Sequence, residues 1–426
     1  MTVAPAYDEI RRRALEMVES TRIDPTADRD ATRALVTGVV EEYQRRAHLG
    51  HGRALHDPHE MVERILRAVS ELGPLTELLR RGDVEEVFIE GARVAYLDNA
   101  GRLRGLDQPS SEPENRHLVD RLLAETDRRL DASSPIVQAR VLSGSARLTA
   151  VIPPIADHLS VTVRRYALRR ETLASLVELG SLTVAAANFL GLAMRTTASF
   201  LVSGPPGSGK TSLLAALIHA VPSSQCIRCC EEVRELHVPL VHGSYYESRP
   251  SSLDGRGEIS LRDLVKVVLA MRPDRIIVGE VRGAEAFELT RAVNAGCGFG
   301  CTVHANSARD ALHALANAAM MAGENVAEPV VRRVFASSLD FVVHLDRDAT
   351  GFSDGPVRRQ VMEVLALVPA LHDDFSTQLI FSRPRLGAPL DWTGALPPDD
   401  VAERIERVLP AGVGLADVLE GRANLL

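Results

Sequence analysis

The stretch Gly204-Pro205-Pro206-Gly207-Ser208-Gly209-Lys210-Thr211 decides the fold of this chain. It reads G-x-x-x-x-G-K-[ST], the pattern of a glycine-rich loop that binds phosphate. The apolar run Phe200-Leu201-Val202-Ser203 before it is typical of a buried strand, and residues 212–218 after it suit a helix. Backbone N–H groups in such a turn point towards one ligand at the helix N-terminus, where the helix dipole favours negative charge. The stretch therefore predicts a triphosphate site between a strand and a helix.

This pattern assigns a role to each residue of the predicted nucleotide site. The Lys210 ammonium is expected to reach the β- and γ-phosphates, and the Thr211 hydroxyl is expected to bind Mg²⁺. ATP and Mg²⁺ are therefore the predicted ligands. The residues expected to contact the nucleotide are Gly204, Pro205, Pro206, Gly207, Ser208, Gly209, Lys210, Thr211 and Ser212.

Hydrolysis of ATP also requires a carboxylate that holds Mg²⁺ or orients water. The buried-strand pattern of residues 275–278 is followed by Gly279 and Glu280. We expect Glu280 to position or activate the attacking water at the metal site. The alternative is a surface glutamate that happens to follow a core strand.

Two further strand ends carry candidate site residues. The acidic residues Glu231, Glu232 and Glu235 follow the predicted strand 226–230, and one of them could support Mg²⁺ through water. His304 follows the predicted strand 301–303 and should lie at the same sheet edge as Glu280, because parallel strands end together. We therefore predict that His304 senses the γ-phosphate, although a lone histidine is often structural.

Composition limits the classes of function. The chain has 426 residues, a net charge of −8 and only 4% aromatic residues. This acidity and the scarcity of aromatic side chains disfavour direct nucleic-acid binding, although the composition does not exclude a local basic channel. No signal peptide or membrane-spanning run is evident, so the interpretation is a cytoplasmic protein that meets the inner face of the membrane through a partner.

The order of patterns along the chain predicts three parts. Residues 1–70 have helical periodicity, residues 71–167 alternate as a small α/β domain, and residues 168–426 form an α/β motor domain with a C-terminal extension. Within them we predict a helix over 117–130, a basic linker at 164–170, a loop over 383–400 and one closing helix over 401–420. Strands alternating with helices in the third part predict a doubly wound sheet with ligands at the carboxyl ends of its strands.

Three sets of residues leave two interpretations open. Arg140, Arg147 and Arg164 lie on predicted strands, and either form a solvated face or have a functional role. Four histidines between positions 48 and 59 could bind a metal but are better explained as a solvated loop. The five cysteines include a fragment of a C-x-x-C pattern at 226–230, and small buried strand residues explain that fragment better than zinc does.

Further motifs follow in order and resemble a known family. They are residues 246–265 (YESRPSSLDGRGEISLRDLV), 271–286 (MRPDRIIVGEVRGAEA) and 302–312 (TVHANSARDAL). Together with the phosphate loop they closely resemble the type II/IV secretion ATPases, and in particular the CpaF/TadA-type ATPases of Flp (Tad) pilus assembly. The resemblance covers residues 73–345, and the lack of the tetracysteine module of type II secretion ATPases favours the pilus branch.

The resemblance implies an architecture and further roles. It implies a homohexameric ring whose subunits pair a small N-terminal domain with a RecA-like P-loop NTPase motor domain and act on a membrane platform protein. It places Glu231 and Glu232 in the "Asp box", Glu280 in Walker B and His304 in the "His box". It also makes Arg140, Arg147 and Arg164 candidates for contact with the γ-phosphate. Glu232 departs from the family pattern, which usually has aspartate there.

Two rival functions remain after the resemblance is taken into account. A nucleotide-gated scaffold would bind ATP with little turnover, and the intact Lys210, Thr211 and Glu280 argue against it. A conjugation or DNA-uptake ATPase would also hydrolyse ATP, but it would move nucleic acid instead of protein. Salt-dependent DNA binding would favour that second rival.

Overall fold

The structure is a computed structural model. It describes every residue except 1–4, 22, 26, 100, 107–109, 166–170, 237–239, 250, 252–255, 295, 324, 326, 349–356 and 369–374. Most of the predicted linker 164–170, and residues 250 and 252–255 of the first family motif, therefore lie outside the described residues. The chain divides into two compact units at residues 167 and 168.

The first unit begins with three helices, as the periodicity of residues 1–70 predicts. They are α1 (Pro5–Thr21), α2 (Arg29–His48) and α3 (Pro58–Ser70). The last begins where Asp57 caps it by accepting a hydrogen bond from the Glu60 N–H, with Pro58 in the first turn. Apolar side chains from all three helices form a shared buried cluster. Tyr7 on α1 donates to Glu114 of the following sheet region, so the bundle lies against that region.

The rest of the first unit is an antiparallel six-stranded sheet with helices on one face. Its strand order is β3-β2-β1-β6-β5-β4. Every second side chain of β4, β5 and β6 is buried, so one face of these strands carries the core and the other carries polar residues. The elements, which include a short 3₁₀ turn (Gly73–Leu75), are α4 (Thr76–Arg80), β1 (Val84–Glu90), β2 (Arg93–Asp98), β3 (Leu103–Gly105), α5 (Glu112–Leu123), β4 (Ile136–Val141), β5 (Ala146–Val151) and β6 (Ser160–Arg165).

The predicted helix over 117–130 is wrong at both ends. The observed α5 begins earlier because Ser111 caps it, accepting from the Glu114 N–H, and Pro113 occupies its first turn. It ends at Leu123, well before Leu130.

The second unit is a nine-stranded sheet of order β15-β14-β13-β12-β7-β11-β10-β8-β9. Strands from β12 to β9 in that order are parallel, and β13, β14 and β15 extend the sheet in antiparallel fashion. The strands are β7 (Phe200–Ser203), β8 (Ile227–Glu231), β9 (Gly243–Glu247), β10 (Arg275–Val278), β11 (Gly298–Val303), β12 (Phe341–Arg347), β13 (Arg359–Val368), β14 (Ser376–Ser382) and β15 (Asp391–Trp392).

Helices cover both faces of this sheet. Successive residues of one strand, such as Leu201 and Val202, belong to different buried clusters on opposite faces. Burial on both faces explains the continuous apolar runs of the parallel strands. The helices are α6 (Leu173–Glu178), α7 (Val184–Arg195), α8 (Lys210–His219), α9 (Leu261–Leu269), α10 (Glu285–Asn294), α11 (Ala308–Met320), α12 (Glu328–Ala336), α13 (Asp399–Glu406) and α14 (Leu415–Leu419). Within the described part of the chain, every helix is too short or too polar to cross a bilayer.

A buried arginine fixes the start of β10. The Arg275 side chain is fully buried and donates to the carbonyl oxygens of Ala198 and Thr196, just beyond α7. Burial lowers the pKa of this guanidinium to about 10. The Met194 carbonyl in the last turn of α7 also accepts from Arg275, at 3.4 Å, so these contacts tie α7 to the strand that leads to Glu280.

Two predictions for the C-terminal extension need correction. The single closing helix over 401–420 is two helices, α13 and α14, because the segment between them contains Pro410, Gly412 and Gly414. The predicted loop 383–400 is largely irregular but contains the short strand β15, which pairs with β14.

Candidate functional site

The loop that joins β7 to α8 is pressed against the end of β12. Gly204 has a φ of +152°, and a Cβ there would collide with the Leu345 carbonyl oxygen and lie 2.6 Å from the Ser208 Oγ. Only glycine fits such a position. β7 and α8 have the order that the sequence predicts, and α8 begins at Lys210. Residues 204–212 therefore form a strand-to-helix turn that opens at a helix N-terminus.

Lys210 is buried and held within its own loop. Its Nζ donates to the carbonyl oxygens of Gly204 and Pro205, each at 3.1 Å. It also lies 3.1 Å from the Nδ1 of His304, which follows β11. The ammonium has three protons, and these three acceptors match them.

His304 connects Lys210 to Glu280. Its Nε2 lies 2.6 Å from the Glu280 Oε1. Because the ammonium can only donate to Nδ1, this contact assigns the neutral tautomer with its proton on Nε2, the nitrogen that lies close to the carboxylate. Desolvation and the charge of Lys210 lower the pKa of His304, and Glu280 opposes that shift. The predicted residues Lys210, His304 and Glu280 are thus brought into one contact chain.

Arg282 extends this chain to Glu232. One terminal nitrogen, Nη2, lies 2.6 Å from the Glu280 Oε2, and the other, Nη1, lies 3.2 Å from the Glu232 Oε2. The pKa of Arg282 is raised, chiefly by its hydrogen bond to Glu280. Sequence reasoning did not select Arg282, although it lies only two residues after Glu280 within a quoted family motif.

Glu231 lies near this chain but has a different environment. Its carboxylate is buried and accepts from the backbone N–H groups of Glu235 and Leu236 at 3.0 and 3.1 Å. A Cβ on Gly279, the residue before Glu280, would lie 2.7 Å from its Cγ. Burial raises the pKa of Glu231 to about 7. Its role at the metal stays a prediction, and in this structure the side chain joins the loop after β8 to the turn after β10.

The loop fits a bound triphosphate with Mg²⁺. Ser208 Oγ is buried and has no hydrogen-bond partner among the described residues, and the Thr211 hydroxyl lies in the first turn of α8. Across the described part of the chain, no group of three or more His, Cys, Asp or Glu is arranged to hold a metal ion. Mg²⁺ commonly keeps several waters and binds through one or two protein groups plus substrate phosphates. Thr211 with water-bridged Glu280 matches that sparse ligand set.

Arg347 is a second cation that the sequence did not indicate. The apolar run of this strand ends at Leu345, but β12 continues to Arg347. The Arg347 Nη1 would lie 2.9 Å from a Cβ on Gly207, so the guanidinium lies against the phosphate loop.

The three predicted arginines form a row in the first unit. Arg140 pairs across the sheet with Arg147, Arg147 with Arg164, and Arg164 with Glu86, all on the polar face. Arg140 Nε donates to the Gly144 carbonyl at 2.9 Å, and Arg147 Nη2 donates to the Gln138 Oε1 at 2.7 Å. Arg164 Nε lies 3.6 Å from the Glu86 Oε1. Like charges directly opposite each other destabilise a sheet, so this row has a cost in stability.

The four histidines between positions 48 and 59 and the cysteines of β8 and β11 lie where a solvated loop and buried strands would place them. His48, His51, His56 and His59 are all exposed. Cys229, Cys230 and Cys301 are buried in β8 and β11, as the strand interpretation predicts, whereas Cys226 precedes β8 and is half-buried.

Comparison with known proteins places this geometry in a family. Residues 71–363 match the family described as Type II/IV secretion system protein. The chain is 34% identical over 305 residues to a Mycobacterium tuberculosis (strain H37Rv) protein whose provisional name is conjugal transfer protein Rv3659c; the match spans 69% of this chain and 84% of the relative. It is 32% identical over 319 residues to the type IV secretion system protein PtlH of Bordetella pertussis, spanning 67% of this chain and 91% of that protein.

A solved structure supports the fold. The Yersinia pseudotuberculosis ATPase DotB matches with a TM-score of 0.51 and 15% identity, covering 68% of this chain and 77% of DotB. The predicted mixed α/β fold class is confirmed. The resemblance read from residues 73–345 is confirmed at the level of the family.

Proposed function

Because the chain belongs to the type II/IV secretion system protein family, we propose that it is an ATP-hydrolysing motor of a secretion or pilus-assembly machine. One observation carries the proposal. An unbroken series of contacts joins the Lys210 ammonium in the phosphate loop, through His304, to the Glu280 carboxylate at the end of β10. A cation for the terminal phosphates and a carboxylate for water are the two groups that phosphoryl transfer to water requires.

The residues of the chain have separate roles in this proposal. Lys210 exchanges the carbonyl oxygens of Gly204 and Pro205 for β- and γ-phosphate oxygens, which are stronger acceptors because they are charged. Glu280 orients the attacking water. His304 contacts both Lys210 and Glu280, so a movement of Lys210 changes the surroundings of the Glu280 carboxylate. Thr211 would hold Mg²⁺, which supplies neutralisation of the developing phosphate charge when bound.

We assign the arginine row of the first unit to the same reaction. Arg140, Arg147 and Arg164 would supply positive charge to the γ-phosphate in the transition state. Support comes from the concentration of positive charge, because three guanidinium groups lie opposite each other on neighbouring strands and would attract an anionic phosphate. Charge delivered by a separate unit would couple hydrolysis to domain movement.

The finer identity rests on the quoted motifs. We propose a CpaF/TadA-type ATPase of Flp pilus assembly that forms a homohexamer and acts on a platform protein at the inner face of the cytoplasmic membrane. A second candidate, a conjugation ATPase, is favoured by the name of the M. tuberculosis relative. The acidity of the chain argues that even then it does not bind the DNA directly.

Phosphate release by the purified full chain tests the proposal. We expect steady release from ATP with Mg²⁺ and loss of release when EDTA removes the metal, because Lys210 alone cannot neutralise the triphosphate. Binding of a fluorescent ATP analogue without phosphate release would instead establish the scaffold. Salt-dependent binding of the same protein to duplex DNA would contradict the expected lack of direct nucleic-acid contact.

A further inference from the structure

Both oxygens of the Glu280 carboxylate have a close neighbour. His304 Nε2 lies 2.6 Å from Oε1, and Arg282 Nη2 lies 2.6 Å from Oε2. The Arg282 contact is a short charge-assisted hydrogen bond, whereas the His304 contact lacks hydrogen-bond geometry and leaves Oε1 without a hydrogen-bond partner among the described residues. Arg282 therefore orients the carboxylate, but its Oε2 is poorly available to a water molecule until Arg282 leaves.

Arg282 already contacts a second carboxylate. Its other terminal nitrogen lies 3.2 Å from Glu232, and the two glutamates lie on different connections, after β8 and after β10. Because a guanidinium has five donors in a rigid fork, a small rotation can transfer it from one carboxylate to the other without loss of its charge partner. The Glu232 side chain is more exposed than Glu280, at 49% against 26%, so the two ion pairs differ in environment.

The backbone beneath Arg282 is fixed while its side chain is exposed. The backbone N–H groups of Arg282 and Gly283 donate to the buried Glu285 carboxylate at 2.6 and 2.7 Å. The Arg282 side chain itself is 53% exposed. A long exposed side chain on an anchored turn can change partners without disturbing the fold.

We infer that Arg282 is a positioning residue that exchanges between Glu280 and Glu232 during the ATPase cycle. While Arg282 is paired with Glu280, that carboxylate does not orient water. When Arg282 is paired with Glu232, Glu280 is able to orient water. This gives Glu232 the role of receiving Arg282, in place of a direct role at the metal. The inference rests on the proposed function, since it takes Glu280 as the group that acts on water.

The exchange predicts suppression of one variant by another. Glu232→Gln removes the second partner, so Arg282 stays on Glu280, and we expect kcat to fall about tenfold with KM for ATP unchanged. Adding Arg282→Gln to that variant frees Glu280, and kcat should rise again to several times the Glu232→Gln value. Steady-state phosphate release on the full chain gives both parameters, and thermal melting checks that each variant is folded.

The matched control is Glu403→Gln, which removes an exposed ion pair between Glu403 of α13 and Arg407 just after that helix, and should leave kcat unchanged. Two results would overturn the inference: a double variant no faster than Glu232→Gln, as expected if Arg282 is only structural, or wild-type kcat in Glu232→Gln. Glu280→Gln is assayed alongside them. Normal turnover in that variant would refute the proposed function itself, whereas an inactive Glu280→Gln without suppression would refute only the exchange.

Discussion

Replacing Glu280 with glutamine will leave ATP binding close to that of the wild type and lower kcat by about 10²- to 10⁴-fold. Glutamine has the shape of glutamate and can still lie against His304, so the contacts to the phosphate loop persist. It cannot take a proton from water or attract water with a full negative charge. Binding is measured with a fluorescent ATP analogue and turnover by phosphate release.

The control for Glu280→Gln is the same substitution at a glutamate that forms an ion pair away from the site. Glu328 pairs with Arg332 within α12, so Glu328→Gln also removes one ion-paired carboxylate, although at 45% it is more exposed than Glu280 at 26%. We expect wild-type turnover from that control. If Glu280→Gln hydrolysed ATP at the wild-type rate, the carboxylate that orients water would have to be another residue.

Lys210→Ala should abolish both binding and hydrolysis at ordinary ATP concentrations. Loss of one partner of a buried charged contact costs about 2–5 kcal/mol, which corresponds to a weakening of binding by roughly 30-fold to several thousand-fold. The same change leaves the Gly204 and Pro205 carbonyls without their donor, and water can replace it because Pro205 is partly exposed. Analogue titration and phosphate release measure the two losses.

The chain contains a natural control for this experiment. Lys210 and Lys266 are its two lysines. Lys266 on α9 lies 3.9 Å from Glu288, away from the phosphate loop residues. Lys266→Ala should keep nucleotide affinity within about twofold of the wild type. Equal loss of affinity in both lysine variants would show that general instability, rather than phosphate contact, causes the effect.

The strands that build the site could be predicted closely from the sequence. β7 and β10 begin and end where the apolar runs of residues 200–203 and 275–278 do. Both are buried on two faces, so three consecutive residues of each strand are apolar, and that pattern is distinct from an exposed loop. The phosphate loop was predictable for a different reason, since the conformation at Gly204 excludes any other residue.

The antiparallel extension was harder to recognise. After residue 348 the pattern of the sequence weakens, yet β13 and β14 follow. β14 buries only Ile380 and Phe381 fully, and a β-bulge interrupts its register with β13 between Val364 and Leu365. A bulge shifts the alternation of inward and outward side chains, so the period of two that marks a strand is broken.

Arg282 and Arg347 were missed because their signals are not local. Each is a polar residue at the end of an apolar run, which matches a solvated turn as well as it matches a site. Their importance comes from distances to Glu280, Glu232 and Gly207, which are separated from them by two to about 140 positions. Only the order of strands in the sheet brings these groups together.

The central claim is that, without nucleotide, the polar groups of the site bind one another, and that ATP replaces those internal contacts. A crystal structure of the full chain with Mg²⁺ and a non-hydrolysable ATP analogue tests it most directly. We predict that Lys210 Nζ leaves the Gly204 and Pro205 carbonyls for the β- and γ-phosphates, with Glu280 turned towards the terminal phosphate. An analogue bound in the loop while Lys210 stays on those carbonyls, or Glu280 directed away from the phosphate, would contradict the claim.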